Sequence, residues 1–175
     1  MKLTIQSLDL TTRSRQARRQ SIGATAEEIV ERMAIFCSDL RLGRLKKRPT
    51  NVVVSAGKAI YTGTAGCDFT GHLRGGRAIY CEVKHIQDPR LDLKVVRESQ
   101  RAELTEALAD GACAVVVVLI GPIGVHWTSV LPWRVCAEAI TAGQKSIPFP
   151  VLQAWTLSPL TPLLQARAIT EVTSD

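Results

Sequence analysis

The chain has 175 residues, of which 46% are apolar and 22% charged, which is typical of one globular domain and too short for two ordinary ones. Its longest apolar run, residues 112–120, spans nine residues, about half of the ~20 that a membrane-spanning helix needs. No basic segment precedes an apolar one at the start, so we expect neither a membrane span nor a secretory signal. The five cysteines lack the paired spacings of a zinc site, which predicts reduced thiols in a cytoplasmic protein.

The positive charge of the chain is concentrated in residues 1–50. This segment holds 11 basic and 5 acidic residues, whereas residues 51–175 hold 11 of each. Two clusters supply most of the excess: Arg13, Arg15, Arg18 and Arg19, then Arg41, Arg44, Lys46, Lys47 and Arg48. Such clusters suit a polyanion because each phosphate that they neutralise releases counterions. Nucleic acid is therefore the favoured partner, and a solvated basic surface is the alternative.

The first half of the chain predicts a helix followed by strands, after an arm over residues 1–20 whose composition is typical of disorder. A capping box followed by apolar residues at helical spacing predicts the helix, and β-branched runs predict strands. Two extended segments around a Gly-Gly turn predict an antiparallel hairpin. In chain order, these elements are a helix at about 25–41, strands at 51–55 and 59–61, and a hairpin of 67–73 with 77–85.

The second half of the chain predicts two more helices and two more strands. A helical stripe of apolar residues ends at Asp110-Gly111, and the apolar run that follows is typical of a strand buried on both faces at the centre of a sheet. The predicted elements are a loop at 88–93, a helix from about 96 to 110, strands at 112–120 and 125–130, a helix from Pro132 to about 142, and an irregular tail with at most a short helix at 160–167. Together they predict one α/β domain over residues 21–175, with a mixed sheet flanked by helices on both faces.

Three charged residues of the hairpin form the strongest candidate site. Strand residues i and i+2 point to the same face, so Glu82 and Lys84 are aimed together while the apolar residues between them face the core. Asp68 lies on the preceding strand, which brings its carboxylate beside Glu82. Two close carboxylates repel each other unless a cation lies between them, and Mg²⁺ favours oxygen ligands of this kind. A surface hairpin with a salt bridge is the alternative.

An Asp, a hairpin and a Glu-x-Lys form the pattern of the PD-(D/E)XK nuclease superfamily, here with Cys67 where a proline often stands. Over roughly residues 22–133 the chain resembles the RecU-type Holliday junction resolvases of that superfamily. The matching segments, in order, are Gly23–Val30, Lys46–Thr50, Gly66–Gly71, Glu82–Lys84, Ser99-Gln100 and Asp110-Gly111. This ordered set is more specific than any one of its members.

The resemblance implies a restriction-endonuclease-like fold and a role for each residue of the site. It implies that Asp68, Glu82 and the backbone carbonyl of Val83 bind Mg²⁺ (or Mn²⁺), that Lys84 assists the attacking water, that Glu27 supports the acidic cluster, and that Gln100 orients water or phosphate. Two alternatives remain from the residues themselves. Gln100 interrupts an apolar stripe and can be a structural glutamine, and Glu27 is an acid in the first turn of a helix, where the helix dipole stabilises it.

The resulting prediction is a Mg²⁺-dependent endodeoxyribonuclease, a Holliday junction resolvase of DNA recombination and repair. We expect a homodimer, because paired cuts in two strands suit two symmetry-related sites. The predicted DNA contacts are Arg13, Arg15, Arg18, Arg19, Arg44, Lys46, Lys47, Arg48, His72 and Arg74. The related resolvases insert a stalk between their first two strands, whereas here only residues 56–66 are available, so the stalk should be short or absent. Alternatives are another nuclease of the superfamily, acting on duplex, flap or single-stranded DNA, and a non-catalytic DNA-binding module.

Overall fold

The fold is known from a computed structural model that describes residues 26–35, 37–49, 52–55, 58–61, 66–122 and 127–157. The predicted N-terminal arm with its four arginines lies outside the described residues, as does the segment at 160–167. Residues 26–35 and 37–39 are helical and are called α1. The further elements are β1 (Gly43–Lys47), β2 (Val52–Ser55), β3 (Lys58–Tyr61), β4 (Phe69–Leu73), β5 (Ala78–Ile86), β6 (Arg90–Asp92), a 3₁₀ turn (Leu93–Val95), α2 (Glu98–Ala109), β7 (Cys113–Ile120), β8 (Trp127–Pro132), α3 (Trp133–Thr141), β9 (Ser146–Pro148), α4 (Phe149–Ala154) and β10 (Thr156–Leu157).

Six strands form a mixed sheet in the order β1-β4-β5-β7-β8-β10. All neighbours are antiparallel except β5 and β7, which run parallel because α2 carries the chain back between them. Every residue of β7 is buried, as predicted for a central strand. The predicted α/β class, the mixed sheet and the hairpin of β4 with β5 are confirmed.

Helices cover both faces of the sheet and form two cores. On one face, Val30 and Met33 of α1 pack with Phe69 and Cys81. On the other face, residues of α2, α3 and α4 pack with alternate residues of β7, among them Leu104, Trp133, Leu152, Val116 and Val118. The unbroken apolar run of β7 follows from this arrangement, since side chains on both of its faces enter a core.

The basic segment after the first helix differs from the prediction, because it is itself an edge strand of the main sheet. Leu45 of β1 packs toward α1, while Arg44 and Lys46 point to the other face and are exposed. An edge strand tolerates such residues because one of its sides meets water. The predicted strand at 51–55 exists, but β2 pairs with β3 in a separate two-stranded sheet. This hairpin lies between β1 and β4 in the chain, and its strands have four residues each.

Two further predictions were wrong in detail. The expected loop at 88–93 contains β6, which pairs with β9, and the expected irregular tail contains α4 and β10 within residues 146–157. Strands of two or three residues are too short to show the alternation of apolar and polar residues by which a strand is predicted. Pro148 and Pro150 stand at the start of α4, where proline is tolerated. All five cysteines are buried and none forms a disulfide. Within the described parts of the chain, no helix combines the length and the apolar character needed to cross a bilayer.

Candidate active site

The hairpin brings Asp68, Glu82 and Lys84 together, as the sequence predicts. Phe69 of β4 lies opposite Cys81 of β5, which places Asp68, just before β4, level with the next residues of β5. The backbone N–H of Val83 donates to Asp68 Oδ2 at 2.9 Å. Because Cys81 and Val83 face the α1 side, Glu82 and Lys84 face the α2 side.

Lys84 links the carboxylate of Glu82 to helix α2. Its Nζ donates to Glu82 Oε1 at 2.5 Å and to Gln100 Oε1 at 3.4 Å. Gln100 Oε1 also accepts from the backbone N–H of Arg97 at 3.0 Å, at the first turn of α2. Gln100 therefore fits both interpretations of its sequence position: it caps a helix, and the same oxygen reaches the site.

Glu82 is the most unusual group in the pocket. Its side chain is fully buried, and among the described residues no group donates a hydrogen bond to its Oε2. The Asp68 carboxyl lies within hydrogen-bonding range of the Glu82 carboxyl. A buried carboxylate oxygen without a donor is costly, so native proteins satisfy almost all such atoms. Two carboxylates and a peptide carbonyl form a donor set of the kind that Mg²⁺ accepts. The orphaned oxygen of Glu82 thus fits a cation beside Asp68.

Burial makes both acids of the pocket hold their protons more tightly. Burial raises the pKa of Glu82 to about 7, with the Lys84 ammonium opposing this shift and the Asp68 carboxylate adding to it. Burial also raises the pKa of Asp68, opposed by the Val83 N–H and by Lys84, while the charge of Glu27 adds to the rise. Acids with pKa values perturbed in this way concentrate at functional sites.

Glu27 lies at the margin of this pocket. Its Oε2 pairs with Lys47 Nζ at 2.9 Å, and the same ammonium reaches Glu31 Oε1 at 3.1 Å. Glu27 acts on Asp68 through its charge. Among the described residues, no three His, Cys, Asp or Glu side chains are placed to hold a metal together. Asp68 and Glu82 are the two carboxylates that the pocket brings together.

Part of the predicted DNA-contacting set shares a face of the sheet with the pocket. Arg44 lies opposite His72 and Lys46 lies opposite Thr70. Since Phe69 faces α1, these positions face the α2 side, as Glu82 does. Arg44, Lys46 and His72 are exposed there, and Arg74 is exposed in the β4–β5 turn.

Lys47 and Arg48, the last two residues of the basic cluster, form ion pairs with acidic side chains. Lys47 points toward α1, where it binds Glu27 and Glu31. Arg48 forms an ion pair with Glu103 of α2. Arg44 and Lys46 are exposed, and neither forms an ion pair with another described residue.

Glu103 is a site-adjacent residue that sequence reasoning missed. Its Oε1 binds Arg48 Nη1, and its Oε2 accepts the backbone N–H of Cys67 at 2.5 Å. Gln100 and Glu103 are three residues apart and share a helix face. That spacing is a weak signal in sequence, because the partners of Glu103 come from two other elements.

Comparisons with known proteins give this chain no family. Neither protein-family models nor curated proteins match it. A function must therefore be inferred from the site itself.

Proposed function

We propose that the chain is a divalent-metal-dependent endodeoxyribonuclease with a site of the PD-(D/E)XK type. The observation that carries this proposal is the buried Glu82 carboxylate beside Asp68 and Lys84 in the hairpin, because no donor to its Oε2 is found in the part of the chain that the structure describes. A stabilising surface salt bridge would not need a fully buried, half-satisfied acid. A cation bound beside Asp68 would supply the partner that this oxygen lacks among the described residues.

Asp68, Glu82 and the Val83 carbonyl would hold Mg²⁺ or Mn²⁺. When bound, the metal would lower the pKa of a coordinated water and stabilise negative charge on the phosphodiester. The surrounding residues prepare the pocket for that chemistry. The Val83 N–H fixes one oxygen of Asp68, and Gln100 keeps the Lys84 ammonium near Glu82. Lys84 is thereby placed to orient the attacking water or to donate to the phosphate.

The exposed basic residues on the same sheet face support DNA as the substrate. Arg44 and Lys46 alternate along an edge strand and are backed by His72, so a phosphate backbone lying on this face can reach them and the pocket together. Binding through these groups would be electrostatic and salt-dependent. The basic arm over residues 1–20 would add further contacts.

We propose a Holliday junction as the preferred substrate and a cytoplasmic homodimer as the working form. The ordered segments that resemble those of RecU-type resolvases support this choice. Of the elements that carry them, β4, β5 and α2 build the pocket, and α1 packs on the opposite face of the sheet. The β2–β3 hairpin stands where those resolvases insert a stalk. Because its strands have only four residues each, a nuclease of the same superfamily with another DNA substrate is the second candidate.

Cleavage of labelled DNA tests both candidates. A mobile four-way junction, a linear duplex with identical arms and a flap are incubated with the full chain, with and without Mg²⁺. We expect paired, Mg²⁺-dependent cuts in the junction. Asp68→Asn should abolish cleavage while DNA binding is retained or tightened, because a repelling carboxylate is removed. Asp88→Asn, an exposed position outside the pocket, is the matched control and should cleave normally.

Each alternative predicts a different result. Equal rates on junction and duplex would replace the resolvase by another nuclease of the superfamily. The absence of any Mg²⁺-dependent cleavage, together with unchanged DNA binding by Asp68→Asn, would leave a non-catalytic DNA-binding module.

A further inference from the structure

One face of helix α2 reaches both segments that build the pocket. Gln100 extends to Lys84 of β5. Three residues later, Glu103 extends to the chain just before β4 and to the end of β1. The helix is itself fixed at its start, where the guanidinium of Arg101 donates to Val96 O and Leu93 O at 2.7 and 2.5 Å.

The contacts of Glu103 converge on the backbone around Asp68. One carboxylate oxygen accepts the Cys67 N–H at 2.5 Å, and the other binds the guanidinium of Arg48. The backbone N–H of Arg48 then donates to Asp68 O at 2.8 Å. The Cys67 N–H, just before Asp68, is thus hydrogen-bonded to α2 through Glu103. The Asp68 carbonyl is hydrogen-bonded to Arg48, which Glu103 also binds.

Gly66 leaves the space that this contact requires. A Cβ at Gly66 would lie 1.8 Å from Glu103 Oε2 and 2.7 Å from Arg48 Nη1, so no side chain fits there while the carboxylate touches the backbone. Burial raises the pKa of Glu103, but the Cys67 N–H and Arg48 outweigh burial and leave the pKa lowered. The contacts are therefore charge-assisted, which makes them stronger and more directional than neutral hydrogen bonds.

We propose that Glu103 is a positioning residue for Asp68. By joining Arg48 to the Cys67 peptide, it fixes the start of β4 so that the Asp68 carboxylate faces Glu82. The proposal rests on the proposed function for its catalytic consequence, although the positioning itself does not depend on it. It also gives Arg48 a role inside the protein in place of a phosphate contact.

Hydrogen exchange tests the positioning directly. Glu103→Gln keeps the shape of the side chain but puts an amide where one of the two acceptors stood. We expect amide exchange in the peptide over residues 66–70 to accelerate at least about 10-fold, because local opening becomes easier. Glu106→Gln is the matched control, because Glu106 lies on the same helix and is exposed. It should leave amide exchange in the peptide over residues 66–70 unchanged. Unchanged exchange in Glu103→Gln would overturn the proposal.

Metal binding and kinetics test the consequence for the site. By isothermal titration with Mg²⁺, Glu103→Gln should bind about 10-fold more weakly, and its kcat on DNA should fall by about 10- to 100-fold, as for other groups that support a metal ligand. KM for DNA should stay within about 2-fold, because no DNA contact is lost. Glu103→Asp, which keeps the charge, should recover part of both losses. A rise in KM at constant kcat would make Glu103 a part of the DNA surface and contradict the proposal.

A double variant tests whether Arg48 acts by holding Glu103 or by contacting DNA. If Arg48 acts by holding Glu103, Arg48→Met should reproduce the weaker Mg²⁺ binding, and adding Glu103→Gln should cost little more. Additive losses, with a reduced salt dependence of DNA binding in Arg48→Met alone, would assign Arg48 to the DNA and overturn the positioning role of Glu103. A wild-type chain that cleaves no DNA would refute the proposed nuclease, while the exchange experiment would still decide the positioning.

Discussion

Two buried polar side chains of the same sheet differ in how completely their polar atoms are hydrogen-bonded. Ser129 of β8 is completely buried, and its hydroxyl donates to Leu152 O at 2.9 Å. Glu82 of β5 is equally buried, yet none of the described residues donates a hydrogen bond to its Oε2. The β8 side of the sheet is organised for stability. The β4–β5 side keeps a buried acid that is costly by itself and that the proposed metal ion would satisfy.

The largest expected effect is a gain in the free energy of unfolding when Glu82 is replaced by the neutral glutamine. Glu82 has a pKa of about 7 in the folded protein against an ordinary value of 4.5, so the folded state binds the extra proton between these values. Stability is therefore lost as pH rises from about 4.5 to 7, by about 3 kcal/mol in total. Glu82→Gln does not titrate, so it should be about as stable as wild type at pH 5 and more stable at pH 8, by up to about 3 kcal/mol.

Urea unfolding at pH 5 and pH 8 measures the difference in stability between the wild type and Glu82→Gln, and added Mg²⁺ provides a second comparison. Addition of Mg²⁺ at pH 8 should raise the midpoint of the wild type and leave Glu82→Gln unchanged, because binding to the folded state adds stability. Equal stability of the two chains across the pH range would show that Glu82 is a satisfied structural acid.

The opposite result is expected on the β8 side of the sheet. Ser129→Ala removes one hydrogen bond between β8 and α4, while Leu152 O keeps the Trp155 N–H and the Thr156 hydroxyl as donors. The free energy of unfolding should fall by about 1 kcal/mol, by the same amount at pH 5 and pH 8, because no titrating group is involved. A stabilising effect of Ser129→Ala would remove the contrast between the two regions.

The smallest expected effect concerns the basic residues of β1. Arg44→Ala and Lys46→Ala should each weaken DNA binding and lower the slope of log K against log salt by about 1, as expected for a lost phosphate contact. Lys47→Ala is the control within the same strand. Its ammonium is held by Glu27 and Glu31, so the salt slope should stay unchanged. A change of slope for Lys47 alone would place the DNA on the α1 side of the sheet.

The parts of the fold that could be predicted are those with a clear local signal. Strand alternation and the Gly75-Gly76 turn were sufficient to predict that Asp68, Glu82 and Lys84 meet. The nine apolar residues of 112–120 predicted a central strand. These signals work because each depends only on neighbours in the chain.

Other parts depend on contacts between distant segments. Strand β1 is missed because its exposed Arg and Lys residues mimic a loop, and only the packing of Leu45 under α1 reveals it. The role of Glu103 depends on Arg48, which is 55 residues away in the chain. That no described residue donates to Glu82 Oε2 is a property of the folded interior, so no pattern of residue types could show it.

The connection of β5 to β7 through α2 has a consequence for how the pocket assembles. Every side chain assigned to its centre, from Asp68 to Gln100, lies in one continuous stretch that folds back on itself through a tight turn and a single crossover. Short-range contacts of this kind close quickly, since little loop entropy is lost. We therefore expect the pocket to form as one early unit, before strands near the C-terminus complete the sheet.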